Sequence, residues 1–198
     1  MRALLLNSSP HGEASHAYRL ARNMTGALDA EVIERDLAAD PLPPISRGYA
    51  AAVTSGNPQA DAFGWSERLI REVEDTDLLI IATPMHNFTV PAALKLWIDH
   101  VLRIDRTFKS TPGGKVGMMQ DRPTFVLVGS GGFHSGERAR QPDFLTPYLR
   151  YALESIGILN VHFVLMQGLV GGDAAVSAAL LEARNALSMH APFTTVSA

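Results

Sequence analysis

Short apolar runs alternate with segments of helical spacing along this chain, and that alternation constrains its fold more than any single motif. The runs are Ala3 to Leu6, Val32 to Ile33 with weaker flanks, Leu78 to Ala82, Phe125 to Val128 and Val161 to Met166. Between them, Ala17, Leu20, Ala21, Met24 and Leu28 fall at i, i+3, i+4, i+7 and i+11, as do Val176, Ala179, Leu180, Ala183 and Leu187. Leu94, Trp97, Ile98, Val101 and Leu102 make a third stripe. A strand that is apolar on both faces must be covered on both, so the pattern predicts a parallel sheet between two layers of helices. Five strands and about five helices make a doubly wound α/β domain, and 198 residues suit a single domain over 1–198. Asp40 to Pro58, rich in Pro, Ala, Ser and Gly, reads as one long irregular connection.

Open α/β sheets bind ligands beyond the carboxyl ends of their strands, near the point where strand order reverses. Three strand ends stand out there: NSSPHGEASH, TPMHNFTVP and GSGGFHSG. The first feeds a helix starting near Ser15. Its free N–H groups and partial positive charge, with the hydroxyls of Ser8, Ser9 and Ser15, can hold a dianionic phosphate without a lysine. The loop has neither GxxxxGK[ST] nor GxGxxG, so a monophosphate ester fits best, the alternative being a plain Ser15 N-cap. In the second, Pro84 ends the strand and Pro91 opens the next helix, which predicts a loop whose backbone is not spent on regular pairing. Met85 and Phe88 beside free backbone groups make a surface for a flat heterocycle with a polar edge; the competing reading buries both in the core at an ordinary turn. In the third, Gly129, Ser130, Gly131 and Gly132 allow close approach to the backbone and let N–H groups converge on an anion. His134 follows within reach, as a functional group or as a loop histidine with no role.

Other chemistries find less support. The absence of cysteine removes disulfides and thiolate chemistry, and the seven histidines show no HExxH or comparable ligand spacing, so no metal site is expected. Val128 occupies the first glycine position of a GxSxG elbow around Ser130. TPGGK at 111–115 follows no predicted strand and reads as a turn. A net charge of -3 with scattered Lys and Arg leaves no footprint for nucleic acid. The apolar run after Arg2 is too short for a signal peptide and no later run approaches a membrane span, which predicts a cytoplasmic protein with no membrane partner.

A phosphate cradle, a backbone-rich slot with apolar walls and a glycine nest at neighbouring strand ends form a site for a phosphorylated planar cofactor, with FMN the natural candidate. At this point the chain resembles the FMN-dependent NAD(P)H azoreductases and quinone reductases of flavodoxin-like fold. The resemblance is carried by SSPHGEASHAYRLA (8–21), PMHNFTVPAALKLWIDHVLRIDRTFK (84–109), GSGGFHSG (129–136) and DFLTPYLRYALESIGILNVHFVLMQGL (143–169). It implies a five-stranded parallel sheet of order 2-1-3-4-5 with helices on both faces. It implies phosphate contacts from Ser9, Ser15, His16 and Ala17, an isoalloxazine lined by Met85, His86, Asn87 and Phe88, and Gly129, Ser130, Gly131 and Gly132 along its pyrimidine edge. It further implies ping-pong reduction of quinones and azo compounds by NADH or NADPH in a homodimer. His134, following the glycine nest, is the candidate catalytic side chain, as a hydrogen-bond donor or proton source at the ring edge that gains charge on reduction. Two departures bear on substrate preference: His86 stands where the family usually has Tyr, and Gly129-Ser130 where it usually has Ser-Arg.

Three rivals are distinguishable. A flavodoxin-like electron carrier would not oxidise NADH directly, and carriers tend to be more acidic than -3. A hydrolase using Ser9 with His11 or His134 would be colourless, and a structural dimer would not take up FMN. Trp65 and Phe108 are candidates for a subunit interface, whereas Trp97 belongs to the core by its place on the apolar stripe.

Overall fold

The computed structural model describes residues 1–55 and 60–195. In chain order the elements are β1 (Arg2–Asn7), α1 (His16–Gly26), β2 (Glu31–Asp36), α2 (Arg47–Ser55), α3 (Gly64–Glu74), β3 (Leu78–Pro84), α4 (Ala92–Val101), β4 (Phe108–Thr111), β5 (Gly114–Gly117), β6 (Thr124–Gly129), α5 (Thr146–Ser155), β7 (Val161–Met166) and α6 (Asp173–Ser188). The main sheet runs β2-β1-β3-β6-β7, every pair parallel. Counted along the chain without the separate β4-β5 hairpin, this is the expected order 2-1-3-4-5.

Alternation along the strands explains the two helix layers. Leu4, Leu6, Leu79, Ile81, Val126 and Val128 point to one face, packed with Leu69 and Val73 of α3, Trp97 and Val101 of α4, and Leu149 and Leu153 of α5. Ala3, Leu5, Ile80, Phe125, Leu127 and Val164 point to the other, against Leu20, Ala21 and Met24 of α1 and Ala183 and Leu187 of α6. At roughly 1.5–3 kcal/mol per fully buried aliphatic or aromatic side chain, these two layers are the main stabilising term. Strand β2 pairs on one side alone, and its Glu31, Glu34, Arg35 and Asp36 suit a sheet edge.

Some expectations need correction. Asp40 to Pro58 is not all irregular, because Arg47–Ser55 is helical: Ser46 Oγ accepts from Tyr49 N at 3.0 Å as a cap, and the Ala50–Ala52 run favours the helix. Residues 40–46 form no helix or strand, as expected, and residues 56–58 lie outside the described residues. TPGGK is indeed a turn, but it joins two short strands, with Thr111 and Gly114 closing the hairpin and Gly114 at φ +117. Four-residue strands with one apolar residue each, Phe108 and Val116, carry no apolar alternation to reveal them. Helix α1 ends at Gly26, so Leu28 lies beyond it. Phe108 joins the core with Trp97, and Trp65 is half-buried against it under the Arg68 guanidinium, 4.7 Å from its ring.

Candidate cofactor site

Strand order reverses between β1 and β3, and an open cleft of about 370 Å³ lies there, beyond the carboxyl ends of β1, β3, β6 and β7. Its lining includes Ser9, Ser15, His16, Ala17, Met85, His86, Gly129, Ser130 and Gly131, so three separate loops read from sequence meet in one place. Asn87, Phe88 and Gly132 are next to the lining rather than in it, and His134 is enclosed in the protein.

The β1 end is tightly fixed. Asn7 Oδ1 accepts from Ser9 N at 3.0 Å while Asn7 Nδ2 donates to Asp36 Oδ2 at 2.9 Å. Both N and Oγ of Ser8 donate to Ala82 O, at 3.0 and 3.3 Å, which spends the Ser8 hydroxyl on β3 and removes it from the anion cradle. Ser9 Oγ accepts from His11 N at 3.3 Å and Ser15 Oγ caps α1 by accepting from Tyr18 N at 3.4 Å. Both hydroxyl hydrogens remain available to a ligand, so the Ser15 cap and an anion cradle coexist. His16 and Ala17 open the helix, where N–H groups have no carbonyl one turn back. The His16 ring sits 2.9 Å from Arg19 Nη2 through Nδ1, and burial, with the Arg19 charge, pushes its pKa down. His16 is thus a neutral acceptor at neutral pH that ties a guanidinium to the cradle, a cation that the loop sequence itself does not reveal. The i, i+3 spacing of His16 and Arg19 is the signal that could have found it.

At the β3 end the backbone is more committed than expected. Met85 N donates to Gly129 O at 2.8 Å, and His86 and Thr89 exchange both backbone hydrogen bonds at 3.0 Å. Between them Asn87 and Phe88 adopt φ of 46 and 74, a tight turn in the left-handed region. Asn tolerates that region; for Phe it is strained, and such strain concentrates at functional sites. Among the described residues the N–H groups of Asn87 and Phe88 meet no acceptor, so the free donors are there and not at His86.

The β6 and β7 ends are sewn together by Ser130 N to Met166 O at 2.9 Å and Leu169 N to Ser130 O at 3.1 Å. Ser130 Oγ turns away to Gly132 O at 2.8 Å. Leu169 and Val170 join the lining, a contribution from a fourth strand end that the motifs did not indicate, since an apolar pair after a strand has no chemical signature. A Cβ at Gly131 would stand 3.0 Å from Val170 Cγ1, and one at Gly129 3.3 Å from Leu169 Cδ1. Side chains at these two positions would crowd the cleft, so the glycines keep room for a planar group against the backbone. The donor-lined cradle, the apolar lining and this cleared backbone fit FMN.

A model described as the flavodoxin-like fold matches residues 1–191. The chain belongs to that family. Among curated relatives, FMN-dependent NADH:quinone oxidoreductase 4 of Pseudomonas fluorescens is 58% identical over 196 residues, covering 96% of this chain and 95% of that protein. FMN-dependent NADH:quinone oxidoreductase 5 of Burkholderia lata is 51% identical over 181 residues, 88% of this chain and 89% of the other. An azoreductase crystal structure from Bacillus anthracis superposes with a TM-score of 0.79 at 22% identity, over 94% of this chain and 98% of that one. A likeness at that identity shows the shared flavodoxin-like fold and no more.

Proposed function

We propose that this chain is an FMN-dependent NADH:quinone oxidoreductase that also reduces aromatic azo compounds, a single domain over residues 1–198 acting as a cytoplasmic homodimer. The carrying observation is the convergence of four strand ends on one cleft at the reversal of strand order, in a chain 58% identical to a protein named for that activity. When bound, FMN supplies the two-electron chemistry between a nicotinamide donor and the acceptor; the protein contributes binding, orientation and charge balance.

The N–H groups of His16 and Ala17 and the hydroxyls of Ser9 and Ser15 would hold the phosphate, with Arg19 adding positive charge through His16. Met85, Leu169 and Val170 would supply apolar contact to the ring, with His86 beside it and Asn87 and Phe88 at the exposed rim. Gly131 and Gly132 would direct N–H groups at the ring edge that gains negative charge on reduction, where preorganised donors are worth most. His134 would hold the proton exchanged there.

No helix among the described residues is long and apolar enough to cross a membrane. The dimer is supported by exposed Val116 and Met118 near the β4-β5 hairpin and by Tyr151 and Leu159 around the end of α5. The hairpin lies against that end so closely that a side chain at Gly117 would overlap the Gly157 backbone. Steady-state oxidation of NADH at several quinone concentrations tests the activity. Parallel double-reciprocal lines that depend on added or bound FMN are expected; a flavin-loaded protein that leaves NADH unoxidised would be an electron carrier instead.

A further inference from the structure

His134 is held from three directions. Gln167, the residue after β7, accepts from the backbone N–H groups of His134 at 2.7 Å and Ser135 at 3.0 Å through Oε1, and donates from Nε2 to Ser135 Oγ at 2.9 Å. Gly168, at φ +73, lies under Phe133, where a Cβ would stand 2.6 Å from Cζ of that ring. The imidazole itself, with none of its side chain exposed, has Nδ1 3.3 Å from Asp143 Oδ2, and among the described residues its buried Nε2 has no hydrogen-bond partner. An unpaired buried nitrogen costs about 1–3 kcal/mol, so a loop that keeps one must gain by it elsewhere.

Asp143 is equally constrained. Its Oδ1 accepts from the N–H groups of Leu145 and Thr146, each at 2.9 Å, and its Oδ2 accepts from Thr146 Oγ1 at 2.7 Å, at the start of α5. Burial pushes the Asp143 carboxyl up, but the hydrogen bonds from Thr146 and Leu145 and the neighbouring His134 outweigh it and hold it below its ordinary range. It is therefore a carboxylate at neutral pH. The other charged groups of this loop are at the surface: Glu137 is exposed, Arg138 stacks on Phe133 at 4.1 Å and Arg140 Nη1 donates to Ala139 O at 3.0 Å. Among the described residues Asp143 is the charged group in contact with the His134 imidazole.

We propose that Asp143 is a positioning residue for quinone reduction, fixing His134 as the tautomer protonated at Nδ1 so that Nε2 is the nitrogen that takes up and gives the exchanged proton. This rests on the oxidoreductase reading above. The balance is that of the overall reaction: NADH provides two electrons and one proton as hydride equivalents, and the quinone needs a second proton to become the hydroquinone. That second proton leaves Nε2 of the imidazolium, the ring returns to the neutral Nδ1–H form held by Asp143, and solvent restores the proton.

The test is Asp143→Asn. Its Oδ1 can still cap α5, but the atom facing Nδ1 becomes an N–H donor, which selects the opposite tautomer; an amide in place of the carboxylate has that effect in other His–Asp pairs. Nitrogen-15 spectra of the wild-type imidazoles, with His134→Ala used for assignment, should show His134 protonated at Nδ1, and the Asn variant should show it at Nε2. Quinone-dependent kcat should fall roughly tenfold while FMN affinity and the quinone KM stay within about twofold of wild type. A wild-type ring protonated at Nε2, or an Asn variant with unchanged tautomer and unchanged kcat, overturns the proposal, and the wild-type spectrum decides even where the variant folds poorly. If His134→Ala stays yellow and keeps full turnover, the proposal falls while the flavin reading stands; wild-type protein that cannot take up FMN removes both.

Discussion

Phe88 holds a left-handed conformation that costs a non-glycine residue about 1–2 kcal/mol, with its ring half-exposed at the rim of the cleft. If that strain serves the ring contact, Phe88→Gly should leave thermal stability within about 1 kcal/mol of wild type, relieved strain offsetting the extra chain entropy of glycine. The same variant should bind FMN about tenfold more weakly, measured by fluorescence quenching. Gly168→Ala works the other way. At φ +73 and against Phe133, an added methyl should cost about 1–3 kcal/mol, a fall in Tm of several degrees by calorimetry, and should loosen the loop that carries His134. At this scale the sequence was only partly informative. Ser9, Met85 and Gly131 were legible because their chemistry is local. The loss of Ser8 to the Ala82 carbonyl, the burial of His134 and its pairing with Asp143 depend on partners that only folding brings close.

Among the elements, α3 and the segment following α4 are joined by an ion network rather than by packing alone. Glu67 of α3 accepts from Arg103 Nη2 at 2.6 Å and Arg106 Nη2 at 3.1 Å. The hydrogen bond from Arg106, and after it that from Arg103, lowers the Glu67 pKa from 4.5 to about 2 against the opposing effect of burial. A carboxylate whose folded pKa is depressed stabilises the fold above its unfolded pKa and loses that contribution as pH falls through the folded value. Wild-type Tm should therefore decline between about pH 5 and pH 2, and Glu67→Gln should start lower near pH 7 and decline less steeply. Superimposable melting curves for the two proteins across that range would contradict the role. The strands and helices that make this frame were legible from periodicity, since β1, β3, β6 and β7 are buried on both faces or nearly so. The hairpin β4-β5 and helix α2 were not, because a short ribbon with one apolar residue per strand and an alanine-rich helix set among prolines carry no clear apolar period.

For the whole molecule, parallel topology follows from strands that are apolar on both faces, the order of strands was an implication of the family resemblance, and the cleft follows from the reversal of that order between β1 and β3. What sequence could not supply is the fourth wall from Leu169 and Val170 or the apolar surface formed where the hairpin meets α5. If that surface joins two copies, gel filtration should place the protein near twice its 21.4 kDa chain mass, and Val116→Glu with Leu159→Glu should move it toward the single-chain position. Flavin-dependent electron transfer is tested most simply by the visible spectrum of the purified protein, titrated with FMN, then with NADH under anaerobic conditions, then with a quinone. Stoichiometric flavin uptake by each chain, bleaching of the flavin band by NADH and its full return with the quinone are expected. A protein that stays colourless after incubation with FMN, or a bound flavin that NADH cannot bleach, would contradict it.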